Sequence, residues 1–205
     1  MQIHTEVIFD LETQKFFDDI GSFDPQKLGV SIVSLYFRKI DENYNELEGR
    51  MLSFWENNIK DSWEYFKNAN RITGFNSKRF DIQVLKPYLP EITRLPHFDI
   101  LEHIKEANGK RVSLQKVAQG TLGDTKADDP VNAIIYWQKR DQESLNKLKY
   151  YCEEDVRLTK EIYDYGLKFK KLKFIDYWNT LREINVDFSY PKEEVKTDDN
   201  QGSLF

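Results

Sequence analysis

Apolar positions fall first in short blocks and later at helical spacing, so strands are expected early and helices late. The opening block, residues 3–10, ends in VIFD and reads as a strand entering a core. Residues 11–27 read as loop, with Gly21 and Pro25 as breakers. The block LGVSIVSLYF, residues 28–37, is β-branched and aromatic and predicts a second strand. A polar run, DENYNELEG, leads into RMLSFW, and together they predict a hairpin. Over residues 56–69, Ile59, Trp63 and Phe66 recur at helical spacing. ITGF, residues 72–75, predicts a short buried strand, and residues 79–87 a helix ended by Pro87 and Pro90.

The second half reads as mainly helical. Ser113 is an N-cap for LQKVAQGTLG, and Pro130 opens a helix VNAIIYWQKRD. Residues 143–165 form the longest helical pattern, with Leu145, Leu148, Cys152, Asp155, Thr159 and Ile162 on one stripe; Gly166 is expected to stop it. After LKFKKLK, the alternation of Ile184, Val186 and Phe188 predicts a terminal hairpin. From Pro191 the chain turns polar, which predicts a flexible tail over 191–205. No internal repeat is visible. Strands, then strand–helix alternation, then helices predict one α/β domain over residues 1–190. Its architecture would be a mixed β-sheet flanked by helices, with a C-terminal β-hairpin extension.

Composition narrows the class. The 205 residues are 40% hydrophobic and 14% aromatic, enough for one well-filled core. No apolar run reaches the length of a membrane span, and MQIHTEV lacks the features of a signal peptide. A single cysteine, Cys152, permits no internal disulfide. A reducing, cytoplasmic setting without membrane contact is the expectation. The net charge of −5 argues against a protein that coats nucleic acid, but not against an enzyme that handles it through metal ions and a local basic patch.

Three short patterns carry candidate chemistry. Asp10 and Glu12 are two apart, so both carboxylates share a face if the strand persists that far. Taken alone, the pair also reads as two solvated loop acids. Asp81 follows the strand ITGF in NSKRFD and reads either as a site at the sheet edge or as a helix cap. Tyr151 and Asp155 are four apart on the long helix, and Asp155 lies at the edge of its apolar stripe. Buried acids are rare unless paired or coordinating. A solvated acid run fits Glu153 and Glu154 better than it fits Asp155. His4, His97 and His103 form no ligand-spaced pair and read as structural or surface residues.

D-x-E, N-x-x-x-F-D and Y-x-x-x-D, in this order, resemble the three exonuclease motifs of the DEDD superfamily. The tyrosine marks the DEDDy subgroup, which includes family-B polymerase proofreading domains. The position where a histidine would mark the other subgroup holds Tyr150. SLQKVAQGTLG, DDPVNAIIYW and LKYYCEEDVRLTKEIYDYG are also similar to predicted ribonuclease-H-like exonuclease domains associated with bacterial helicases. The resemblance implies a ribonuclease-H-like fold and a 3′–5′ exonuclease that uses two Mg²⁺ or Mn²⁺ ions ~3.5–4 Å apart. It implies metal ligation by Asp10, Glu12, Asp81 and Asp155, with Asp10 bridging both ions. Tyr151 would orient the attacking water. Substrate contacts would come from Leu11, Thr13, Gln14, Asn76 and Phe80, with Phe16 and Phe17 as stacking candidates and Lys168, Lys170, Lys171 and Lys173 as a basic cluster. Asp99 lies near the site without being catalytic.

The partner implied is single-stranded or 3′-ended nucleic acid, with DNA favoured over RNA. The chain ends QGSLF, similar to the pentapeptide by which bacterial replication proteins bind the sliding clamp. Gln201, Leu204 and Phe205 match that pattern, and Gly202 departs from it. An RNA-processing exonuclease and a non-catalytic nucleic-acid-binding module of the same fold are the competing readings. Retention of all five chemical residues favours the enzyme.

Overall fold

The first strand, β1 (His4–Thr13), is buried on both faces, which is why it reads as a nearly continuous apolar run. In the computed structural model, which describes residues 2–124 and 130–191, it is the central strand of a five-stranded sheet. Val7, Phe9 and Leu11 enter one core. Glu6, Ile8, Asp10 and Glu12 alternate with them and face the other way. β2 (Val30–Ile40) pairs antiparallel with β1, and β3 (Glu46–Trp55) pairs antiparallel with β2. On the other side of β1, β4 (Arg71–Gly74) and β5 (His97–Asp99) add in parallel, giving the order β3-β2-β1-β4-β5. The sheet is therefore mixed, as the order of elements predicts.

Short helices make the crossovers that parallel strands need. α1 (Phe17–Ile20) lies in the loop after β1. A 3₁₀ segment, Glu56–Ser62, and α2 (Trp63–Phe66) lead to β4, where a single longer helix is expected. α3 (Asp81–Leu85) follows β4, and α4 (Ile100–Asn108) follows β5 with Asp99 as its cap. α5 (Leu114–Leu122) is capped by Ser113, as its sequence predicts. α6 (Pro130–Lys139) and α7 (Gln142–Phe169) complete the helices, and β6 (Lys171–Ile175) and β7 (Leu181–Asn185) form the expected C-terminal strand pair. Among the described residues, no helix is long and apolar enough to cross a membrane.

Two boundaries differ from expectation. β1 does not yield to loop at residue 11 but runs to Thr13, because Leu11 still has a core to enter and β2 still offers ladder partners. Gly166 does not stop α7, which continues to Phe169 and ends on Lys170 in the left-handed conformation, φ 54°. Gly166 instead gives room to Phe188, whose ring a β-carbon at this position would strike. The glycine answers a packing demand from residues twenty and more positions away, which helix periodicity cannot display.

The chain after β7 returns to the sheet. Phe188 is fully buried and stacks on Tyr163 of α7. Arg71 donates to the Tyr163 hydroxyl at 2.8 Å and to the backbone carbonyls of Phe188 and Ser189. Residues 192–205 lie outside the described residues, and with them Gln201, Leu204 and Phe205 of the clamp-like pentapeptide.

Candidate active site

The carboxylates come together because β1 stays regular to its end and α7 crosses its even-numbered face. Asp10 and Glu12 are ladder residues opposite Ser34 and Ile32 of β2. The register then shifts between Glu12 and Thr13, where Ser31 drops out of the pairing and donates its hydroxyl to the Glu12 carbonyl at 2.9 Å. Such a bulge next to the acids ends the pairing and re-aims the chain beyond them. Cys152 of α7 donates its thiol to the Asp10 carbonyl at 3.6 Å, holding helix to strand at this level. One turn from Cys152, Asp155 is buried at 4% exposure. One carboxylate oxygen from each of Asp10, Glu12 and Asp155 lies within 4.8 Å of the others.

Three carboxylates this close disfavour one another's charge. Oxygen donors gathered in one place are the set that Mg²⁺ or Mn²⁺ prefers, with neither thiolate nor imidazole among them. The residues therefore fit a divalent cation. Cys152 is not a competing ligand: burial, then the neighbouring Asp10 and Glu12, hold its thiol well above the usual range.

Asp81 stands outside that set and borders it. It opens α3 and is buried at 5% exposure. Burial pushes its pKa up to about 8; backbone N–H groups of Asp81 itself and Leu11 oppose the rise, and Asp99 and Asp155 add to it. The turn before it is built by Asp99, a fully buried carboxylate that accepts from the backbone N–H groups of Asn76, Lys78 and Leu101 at 2.9–3.0 Å. Asn76 at the head of that turn has φ 66°, a left-handed conformation that asparagine tolerates. Asp99 is thus a positioning residue, and sequence reading found it only as a neighbour of the site. A three-residue strand is too short to show alternation, so neither β5 nor its cap was visible in the pattern.

Tyr151 lies one helical turn before Asp155 on α7 and is 5% exposed. Glu153 and Glu154 of α7 are half-buried and committed elsewhere. Glu153 accepts from Ser53 at 2.7 Å, and Glu154 pairs with Arg157 at 2.9 Å.

Beside the acids is a cleft of about 370 Å³, lined in part by Leu11, Glu12, Thr13, Phe16, Phe17 and Phe80. Val131 and Ile134 of α6 close its far side, a contribution that nothing in the sequence reading assigned. Among the substrate-contact expectations, Leu11, Thr13 and Phe80 reach this cleft. Gln14 does not line it: its side-chain amide donates to the Val30 carbonyl at 2.8 Å and packs over Gly29. Asn76 lies on another face, where its side-chain oxygen accepts from Arg111. The basic cluster is partly neutralised, since Lys170 pairs with Asp187 and Lys171 and Lys173 pair with Glu183. Of the histidines, His4 stacks on Tyr190, His103 stacks on Phe98, and His97 meets the Ile92 carbonyl at 2.7 Å.

A family model described as the RNase_H superfamily matches residues 7–166. Among solved structures, the chain is similar to the family B DNA polymerase from the hyperthermophilic archaeon Pyrobaculum calidifontis, with a TM-score of 0.59 and 18% identity. The likeness covers 81% of this chain and 25% of the polymerase chain, so this protein spans a quarter of that relative's length. No curated protein sequence matches the chain.

Proposed function

Because this chain belongs to the RNase_H superfamily, we propose that it is a two-metal-ion 3′–5′ exonuclease that releases nucleoside 5′-monophosphates, with DNA the favoured substrate. The observation that carries the reading is the gathering of Asp10, Glu12 and Asp155 within 4.8 Å, with Asp81 buried alongside.

Asp10, Glu12 and Asp155 would hold the cations, and Asp81 would join them on giving up its proton. When bound, the cations supply an activated water at neutral pH and neutralise charge on the leaving oxygen. The remaining work falls to the chain. Tyr151 orients the attacking water by a hydrogen bond and need not ionise. The backbone around Leu11 and Thr13 receives the terminal nucleotide in the cleft, with Phe80 against its apolar surface. Asp99 holds the 76–80 turn so that Asp81 enters the site at a fixed angle.

The test is a time course with Mn²⁺ or Mg²⁺ on matched DNA and RNA oligonucleotides labelled at the 5′ end. Stepwise shortening of the labelled strand is expected, abolished in Asp10→Ala and Asp155→Ala. An inactive parent, or variants as active as the parent, would count decisively against the reading. Faster shortening of the RNA strand would move the substrate to RNA.

Recruitment to a bacterial-type sliding clamp through QGSLF is a second part of the proposal, supported by the sequence of the last five residues. A tethered anchor raises local concentration without altering chemistry. Deleting residues 201–205 should abolish clamp binding and spare hydrolysis of free oligonucleotides; loss of both would defeat the separation.

A further inference from the structure

The tip of the β6–β7 hairpin breaks the usual economy of an exposed turn. Tyr177 and Trp178 are 85% and 78% exposed, the most exposed large hydrophobic side chains in the hairpin. They meet edge-on, with ring centroids 5.3 Å apart. Two large aromatics held in solvent mark an interaction surface more often than a structural need.

The tip is rigidly built. Asp176 accepts from the backbone N–H groups of Trp178 and Thr180 and from the Arg182 guanidinium, all within 2.9 Å. The hairpin is also fixed to α5. Thr121 donates to the Lys173 carbonyl and accepts from the Lys173 N–H, and Gly120 lets the β6 backbone approach closer than a β-carbon would allow. The aromatics are therefore presented on a fixed arm, preorganised for a partner.

Between this arm and the chain leading into the first turn of α5 runs a groove of about 800 Å³, lined there by Lys110, Arg111 and Lys116. Arg111 also lines a second depression of about 310 Å³, of mixed charge, with Arg79 and Lys105 beside Glu102 and Glu106, and so joins the groove to the turn that carries Asp81. Arg79, Lys105, Lys110, Arg111 and Lys116 make no ion pair among the described residues, whereas Glu183 and Asp176 on the hairpin are already paired. A protein of net charge −5 thus carries Lys110, Arg111 and Lys116 along the groove beside the aromatic arm, and Arg111 reaches on to Asn76, at the head of the turn before Asp81.

We propose that this face is a track for single-stranded nucleic acid, with Tyr177 and Trp178 as a stacking platform and Lys110, Arg111 and Lys116 as phosphate contacts. Stacking suits an exonuclease that must accept any sequence, because every base offers a flat face. The platform holds the strand some distance from its 3′ end and feeds the site. The proposal rests on the nuclease reading for its choice of ligand, but its binding step needs no metal.

The experiment measures binding of a 5′-labelled single strand of about 20 nucleotides, longer than a single-strand site of one small domain. The full chain is used in EDTA, with hydrolysis of a labelled dinucleotide in Mn²⁺ followed in parallel. Tyr177→Ala and Trp178→Ala should each weaken binding of the long strand about tenfold and leave dinucleotide hydrolysis unchanged. Lys110→Ala combined with Lys116→Ala should lower the slope of log affinity against log salt by about 1.4, two single-strand phosphate contacts. Parental affinity in the aromatic variants overturns the track, as does a parent that does not bind the strand. Self-association of the parent that Trp178→Ala dissolves, with strand binding intact, also overturns it and assigns the arm to a second copy of the chain. If the aromatic variants lose binding while the parent hydrolyses nothing, the track stands and the nuclease reading fails. If the parent hydrolyses the dinucleotide and the variants bind normally, the reverse holds.

Discussion

The even-numbered face of β1 carries acids at both ends under the same helix, Glu6 fully buried and Asp10 and Glu12 half-buried, and the two ends treat them in opposite ways. At one end, fully buried Glu6 accepts from Arg38 at 2.8 Å, from Tyr163 at 2.8 Å and from Tyr190 at 2.9 Å. Arg38 reaches on to Asp164 at 2.7 Å. Burial alone would lower the Arg38 guanidinium's pKa, but Glu6 and Asp164 more than offset it and leave it raised. At the other end, four residues along the strand, Asp10 and Glu12 meet Asp155, with one carboxylate oxygen of each within 4.8 Å of the others. The first arrangement brings its own counter-charge and ties β1, β2, α7 and the C-terminal segment together. The second gathers carboxylate oxygens of the kind a divalent cation binds. One strand thus serves stability at its beginning and chemistry at its end.

The largest expected effect separates the two ends by activity. Asp155→Asn should lower nuclease turnover roughly 10³–10⁵-fold, the scale of lost metal-assisted catalysis, while thermal unfolding without metal shifts little or upward. At the other end the signs reverse. Glu6→Ala should cost about 3–5 kcal/mol, read from urea unfolding, because it leaves the Arg38 guanidinium buried without its main partner. Glu6→Leu with Arg38→Met should recover most of that loss, since the desolvation cost goes with the pair. Should Asp155→Asn unfold the protein and Glu6→Ala leave it intact, the contrast would be drawn the wrong way round.

Gly166→Ala tests the packing that holds the first end. A β-carbon there meets the Phe188 ring, and a loss of about 1–3 kcal/mol is expected by calorimetry, with activity at low temperature retained. Asp81 gives a smaller effect of opposite sign. Its folded pKa lies near 8, above its ordinary 3.8, so the folded protein binds more protons than the unfolded chain between those values. Metal-free stability should therefore fall as pH rises through that window. Asp81→Asn should flatten the slope and raise the melting temperature at pH 8 by roughly 2–8 °C, with activity lost. A pH profile steeper in the variant than in the parent would contradict the assignment.

Much of the second end was legible in the sequence, because its residues sit at the ends of strongly patterned elements. Asp10 and Glu12 close an apolar block, Asp81 follows a short one, and Asp155 lies on a long helical stripe. The first end was not legible. Glu6 meets Arg38, Tyr163 and Tyr190 across 32, 157 and 184 residues of chain, and no local pattern joins them. Its position inside the opening strand shows a polar residue among apolar ones, without its partners. Gly166 failed in the same way: a glycine late in a helical run signals a stop, unless something distant needs the space. The aromatic arm was missed because Tyr177 and Trp178 lie in a turn, where periodicity says nothing about what a side chain faces.

The central claim is that the acids at the end of β1 are held together for a divalent cation. Its most direct test is Mn²⁺ titration of the full chain, followed by melting temperature at pH 7.5. Parent protein should gain stability with rising Mn²⁺, as any folded-state ligand requires, and both Asp10→Asn and Asp155→Asn should lose that gain. Glu6→Gln should melt lower throughout and still respond to Mn²⁺ by the parental increment. A parent whose melting temperature ignores Mn²⁺, or an Asp10→Asn variant that responds as the parent does, would contradict the account.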